Sequence, residues 1–97
     1  MEFENGFRIS VQWGIMNYCQ RKYDGEFDAP QKENYWESTS CEIAVFDKDN
    51  SMINIKGDDY DTVIGWLSTD QVAKVIAIVQ SSKTDKEIQL KCQALNL

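Results

Sequence analysis

The chain has 97 residues, 42% of them hydrophobic and 11% aromatic, and a formal net charge of −6. That is enough for one hydrophobic core and no second lobe, and too apolar for a disordered segment. The negative charge argues against generic affinity for nucleic acid or for an anionic membrane surface, and no apolar run approaches the ~20 residues of a membrane span.

In chain order, the first signal is Asn5-Gly6, set between Glu2-Phe3-Glu4 and Phe7-Arg8-Ile9-Ser10-Val11-Gln12-Trp13. An Asn-Gly pair between extended segments is the strongest short-range mark of a hairpin. In the second segment Phe7, Ile9, Val11 and Trp13 alternate with Arg8, Ser10 and Gln12, which predicts a half-buried strand ended by Gly14. From Ile15 to about Asn34 neither a period of 2 nor one of 3.6 holds, and Pro30 excludes a continuous central strand or helix there. Connections this long are unusual in compact domains and often carry function.

Tyr35 to Asp47 reads as a long strand, with Cys41, Ile43 and Val45 on one face and Glu42, Ala44 and Phe46 on the other. Asp47-Lys48-Asp49-Asn50-Ser51 is a turn leading to a short strand, Met52-Ile53-Asn54-Ile55. Its opening imitates a calcium loop, but Met52 stands where that loop needs glycine and Asp58 where it needs a bidentate glutamate, so a hairpin turn is the better reading. Gly57 to Asp61 is an acidic loop. Thr62-Val63-Ile64-Gly65-Trp66-Leu67 is a last strand or an extended lead-in, in which Gly65 marks close backbone packing.

The chain is organised around Ser68–Ser81. Ser68 and Gln71 have capping-box spacing, Asp70 suits the positive end of a helix dipole, and Val72, Val75, Ile76 and Val79 draw one apolar stripe. Burying those four side chains stabilises by about 6–12 kcal/mol before entropy is charged against it. In the tail, Ile88, Leu90 and Cys92 alternate as in a strand, yet Thr84-x-x-Glu87 is a second capping box and Ile88, Cys92 and Leu95 fall at helical spacing; a short helix is favoured. The fold class is therefore α+β: one domain over residues 1–97, an antiparallel sheet of four to five strands with the main helix (about 68–81) on one face, and a short C-terminal helix or strand. Ile78, Leu90, Leu95 and Leu97 need cover, from the tail itself or from a second copy, and a homodimer is expected.

Little in the composition points to catalysis. Histidine, the commonest general base and metal ligand, is absent. Cys19, Cys41 and Cys92 have no zinc spacing, and three widely spaced cysteines suit reduced thiols better than a disulfide framework. Cys19 lies near Arg21 and Lys22 but reads as a structural thiol. The scattered glycines set up no phosphate loop. Catalytic residues, metal ligands and cofactors are accordingly expected to be absent. The amino terminus, Met1-Glu2-Phe3-Glu4, lacks the basic and apolar regions of a secretion signal, and a cytoplasmic location is expected.

Charge is uneven. Between Asp24 and Asp61 eleven acidic residues face three lysines, while the stretch from Ser68 onward is near neutral. This acidity reads either as a solvated surface or as a face for a basic partner. Tyr18, Tyr23, Phe27 and Trp36 are the aromatics least explained by strand or helix periodicity, and with Asp24, Glu26 and Asp28 they form the candidate partner-binding set. A second set, Arg8, Gln12, Asn17, Arg21 and Lys22, offers the cationic and amide groups a small anionic ligand would need.

The run from Asn5-Gly6-Phe7 through Gln12-Trp13-Gly14 to Asn17-Tyr18-Cys19, with Glu42–Asp47 and Asp61–Ser68, resembles a group of small uncharacterised bacteriophage and prophage proteins. In that group an Asn-Gly hairpin, a glutamine-tryptophan-glycine turn with an asparagine-tyrosine-cysteine, and a tryptophan before the helix occur in this order. The resemblance covers roughly residues 3–80 and leaves Lys83–Leu97 outside. It implies phage origin and no assigned chemistry. By analogy with other small acidic phage proteins, the expected function is non-enzymatic: inhibition of a bacterial defence system by blocking a host protein, in the manner of an anti-CRISPR. The alternatives are sequestration of a small nucleotide immune signal and a phage structural or interaction role.

Overall fold

In a computed structural model, residues 1–14, 17–19, 38–56 and 63–97 are described here. Four strands, β1 (Arg8–Gln12), β2 (Ser40–Phe46), β3 (Met52–Ile53) and β4 (Val63–Ser68), form one antiparallel sheet, followed by helices α1 (Thr69–Ser81) and α2 (Asp85–Gln93). The fold is α+β, as the patterning predicts.

β2 is the hub. Its Ile43 pairs with Val11 of β1 and with Ile64 of β4, while Val45 pairs with Ile9 and with Ile53 of β3. β1 therefore occupies one edge of β2, and β4 and β3 follow one another along the other. Alternation does the rest. Ile9, Cys41, Ile43, Val45, Ile64 and Leu67 are buried with Val72, Val75 and Val79 of α1 in one cluster. The opposite face carries Arg8, Ser10 and Gln12 beside Phe46, Ala44 and Glu42. There Arg8 stacks over the Phe46 ring at 4.7 Å and donates to the Asn50 side chain.

The Asn-Gly turn forms as expected: Gly6 adopts φ +90°, which glycine accepts without a Cβ penalty, and the Phe3 amide donates to the Phe7 carbonyl. The segment before it is shorter than a full strand, held by a single bridge between Glu2 and Arg8 and by the Ile9 amide donating to the Met1 carbonyl at 2.9 Å. The strand after it also stops short. β1 ends at Gln12, and Trp13, expected on the buried face, is 40% exposed. The long strand expected from Tyr35 starts at Ser40, with 35–37 outside the described residues. Asp47 closes the β2–β3 turn with its own carboxylate, which accepts from the Asp49 and Ser51 amides at 2.9 Å. The calcium-like spacing is thus a turn device.

Both predicted caps are present. The Ser68 hydroxyl accepts from the Gln71 amide and the Gln71 side chain accepts from the Ser68 amide, a complete capping box that makes Ser68 the cap rather than the first helical residue. Thr84 accepts from the Glu87 amide, but the Glu87 carboxylate accepts from the Lys83 amide and not from that of Thr84, so the second capping box is half formed; the tail is helical, not extended. α2 buries Ile88 and Cys92 completely, and Leu95, Leu97 and Ile78 pack partly buried against the core. Cover for which a second copy was expected thus comes in part from the chain's own tail; Leu90 stays 57% exposed. No helix among the described residues is long and apolar enough to cross a membrane.

Candidate functional site

The sheet face opposite α1 carries a small polar assembly built on Glu42. Glu42 is paired with Gln12 in the β1–β2 register. Its carboxylate accepts from the Tyr18 backbone amide at 2.9 Å and from the Asn17 side-chain amide at 3.4 Å. Asn17 also donates to the Gln12 side chain at 3.0 Å. The turn is closed from behind by the Asn17 amide donating to the Gly14 carbonyl at 3.1 Å, and by the buried Cys19 thiol, which accepts from the Gly14 amide at 3.4 Å. Cys19 is a packed structural thiol. Asn17-Tyr18-Cys19 is therefore pinned to the sheet by two residues, Gln12 and Glu42, that sequence pattern places on one face.

β4 meets this turn through a bulge. Cys41 pairs with Leu67 and Ile43 with Ile64, so Gly65 and Trp66 together stand opposite Glu42. Trp66 takes a left-handed backbone, φ +59°, rare for a bulky residue, and its amide donates to the Tyr18 carbonyl at 2.8 Å. Gly65 is required here for space. A Cβ on it would collide with the Cβ of Tyr18 and lie 2.9 Å from the Tyr18 carbonyl oxygen. The turn and the bulge thus lock each other, and both aromatic side chains are left outward: Tyr18 is 52% exposed and Trp66 57%. Between them and the chain's end is a cleft of about 300 Å³, lined also by Lys56, Val63 and Leu97.

A second concavity of about 300 Å³ lies on the other side of the sheet, between Val11, Trp13 and Leu67 and the Val72–Ile76 stretch of α1, and is almost wholly apolar.

Of the expected partner-binding residues, Tyr18 is exposed on this assembly; Tyr23, Asp24, Glu26, Phe27, Asp28 and Trp36 lie outside the described residues. Of the expected small-ligand set, the structure brings Gln12 and Asn17 together but commits them to holding the turn, and Arg8 sits at the far end of β1 on Phe46. Arg21 and Lys22 lie outside the described residues. Trp66 was not among the expected residues. Its signal is a break in alternation: Ile64 and Leu67, three apart, both face the core, which a regular strand cannot do.

Among the described residues titratable chemistry is sparse. Burial pushes the Cys92 thiol up to about 11 and raises Cys41, with Cys19 adding to the latter. At the surface, Asp85 of α2 faces Asp47: desolvation and the neighbouring carboxylate raise Asp85, while the Ser51 amide holds Asp47 low. Among the described residues no group of three acidic or cysteine side chains could hold a metal ion. In comparison with known proteins, the chain matches no family model, no curated protein and no solved structure.

Proposed function

We propose that this chain is a non-enzymatic, phage-encoded binding protein that blocks a host protein, with a bacterial defence system as its target, and that its recognition surface includes Tyr18 and Trp66. One observation carries the reading. Two large aromatic side chains, each more than half exposed, stand on backbone fixed by Glu42, Gly65 and a bulge. Exposed aromatics held rigidly lose little entropy on binding, which is the usual character of an interface anchor. The phage origin and the defence target rest on the resemblance of the Gln12–Cys19 and Asp61–Ser68 motifs and on analogy of class.

The test is affinity purification of the tagged chain from a bacterial lysate, with mass spectrometry, beside the Tyr18→Ala/Trp66→Ala double variant. The expected result is a host protein captured by the parent chain, lost with the double variant, and inhibited by the parent chain in its own assay. Capture that is indifferent to both substitutions would place recognition elsewhere.

A further inference from the structure

We infer that the open edge of β1 at Val11 receives an extended segment of a protein partner, which adds as a strand and sets an apolar side chain into the concavity between β1 and α1; this rests on the reading of the chain as a protein-binding module, not on Tyr18 or Trp66.

The first support is the direction of the β1 main chain. The Ile9 amide donates to the Met1 carbonyl at 2.9 Å and the Met1 amino group donates to the Ile9 carbonyl at 2.8 Å, so both groups of Ile9 point away from β2. In an antiparallel pair alternate residues send both groups to the same side. Ser10 and Gln12 therefore hold the ladder to β2, while Val11 repeats the direction of Ile9. Among the described residues nothing bonds to the Val11 N–H or C=O. A donor and an acceptor side by side on a strand edge are the groups that extended backbone satisfies. Met1 and Glu2 already use the neighbouring stretch of this edge in that way, through the Glu2–Arg8 bridge. Edge strands are commonly blunted by charge, proline or a bulge. Ser10, Val11 and Gln12 carry none of these, in a chain of net charge −6.

The second support is what lies beside the edge. Val11 lines the concavity of about 300 Å³ that reaches Leu67 and the Val72, Ala73 and Ile76 side chains of α1. The residue of an added strand opposite Val11 has its Cα about 5.5 Å away and its side chain on the same face of the sheet, the face that carries α1. That side chain enters the concavity. Among the described residues no charged side chain lines it, so the side chain it takes is apolar. Backbone pairing and side-chain choice thus meet at one residue. A second copy is a poorer occupant: two β1 strands paired antiparallel about Val11 would set Trp13 of one against Ile9 of the other, where Met1 already stands.

The experiment uses the full chain with three short peptides of alternating threonine and serine: one with a central leucine, one with a central aspartate, and one whose central leucine is N-methylated. Binding is followed by hydrogen exchange of the Val11 amide and by the Ile76 methyl signals. In the free chain the Val11 amide should exchange faster than those of Ser10 and Gln12. The leucine peptide should slow it about tenfold or more and shift the Ile76 signals, and the other two should bind about tenfold more weakly. Val11→Pro, tolerated where an edge N–H is outside the ladder, should remove binding with a melting temperature close to that of the parent chain. Ala73→Glu, an exposed position on the concavity wall, should weaken binding about tenfold, and it decides the matter if the proline variant fails to fold. A Val11 amide as slow as its neighbours in the free chain, equal binding of the three peptides, or unchanged exchange at millimolar leucine peptide would each overturn the inference. So would slowing that follows protein concentration with a doubled mass, which gives the edge to a second copy. Each of those failures leaves capture through Tyr18 and Trp66 as it was. A parent chain that captures no host protein removes the binding-protein reading itself, whatever the peptides do.

Discussion

The side-chain amide of Asn5 donates to the main-chain carbonyl of Val79 at 2.8 Å, joining the first turn of the protein to the last turn of α1. The same nitrogen lies 3.0 Å from the Ser82 carbonyl and 3.1 Å from that of Gln80, while the Asn5 side-chain oxygen accepts from the Phe7 amide. α1 has no basic residue in its last turn, so Asn5 supplies from a distance the donor that a helix C-terminus needs.

Asn5→Ala should therefore cost about 1 kcal/mol, and lower the melting temperature by about 4–8 °C for a domain of this size. Asn5→Asp should be worse, since it removes the donor and sets a negative charge against the negative end of the helix dipole. Thermal melts of the two variants check the order.

Gly65→Ala should destabilise by about 1–3 kcal/mol, because the added methyl meets Tyr18 backbone that the Glu42 bond holds in place. Loss of the near-ultraviolet aromatic signal before the far-ultraviolet one on heating would report the turn lifting off first. A variant as stable as the parent would show that the turn and bulge are not locked together.

Trp66→Gly separates stability from recognition. Glycine accepts the left-handed backbone, recovering about 1 kcal/mol, while the ring it removes is 57% exposed. The expected outcome is an unchanged or raised melting temperature with loss of partner capture. A marked fall in melting temperature would make the ring a structural cover.

Val75→Asp tests the core. Val75 is fully buried in the cluster between sheet and helix, and an unpaired carboxylate there costs several kcal/mol, comparable to the whole stability of a small domain. The variant should be unfolded at 25 °C by circular dichroism.

Alkaline pH should weaken the fold. A thiol lifted from 9.0 to about 11 keeps its proton in the native state while the unfolded chain releases it, so stability declines from about pH 9 up to about 11 and levels off beyond. Cys92→Ala should flatten that decline. Cys92 should also resist alkylation at pH 8 until denaturant is added, because the thiolate is the reactive form.

What could be read from the sequence was local. The Ser68–Gln71 box, the Thr84–Glu87 cap and the Val72–Val79 stripe each act within one helix, and each appears as predicted. Asn5-Gly6 was legible as a turn for the same reason. Its hold on Val79 was not, because nothing at either position encodes a partner 74 residues away. The site divides in the same way. Gly65 was readable as a place of close packing, but the residue it admits, Tyr18, comes from another part of the chain. Trp66 was hidden because the bulge that turns it outward exists only in the pairing of β4 with β2. Trp13 failed differently: alternation continued past the point where β1 stops.

The placement of β2 also bears on how the chain comes to be folded. Its partners lie on both sides in sequence, β1 about 30 residues before it and β4 about 20 after it, and the helix that closes the core follows β4. A nascent chain that has just completed β2 has only the β1–β2 pair to form, with its apolar face open until Val72, Val75 and Val79 have been synthesised. Closure of this core waits until α1 has been made, and the search for it is set by loop closure over tens of residues more than by helix formation, which needs no distant partner to begin.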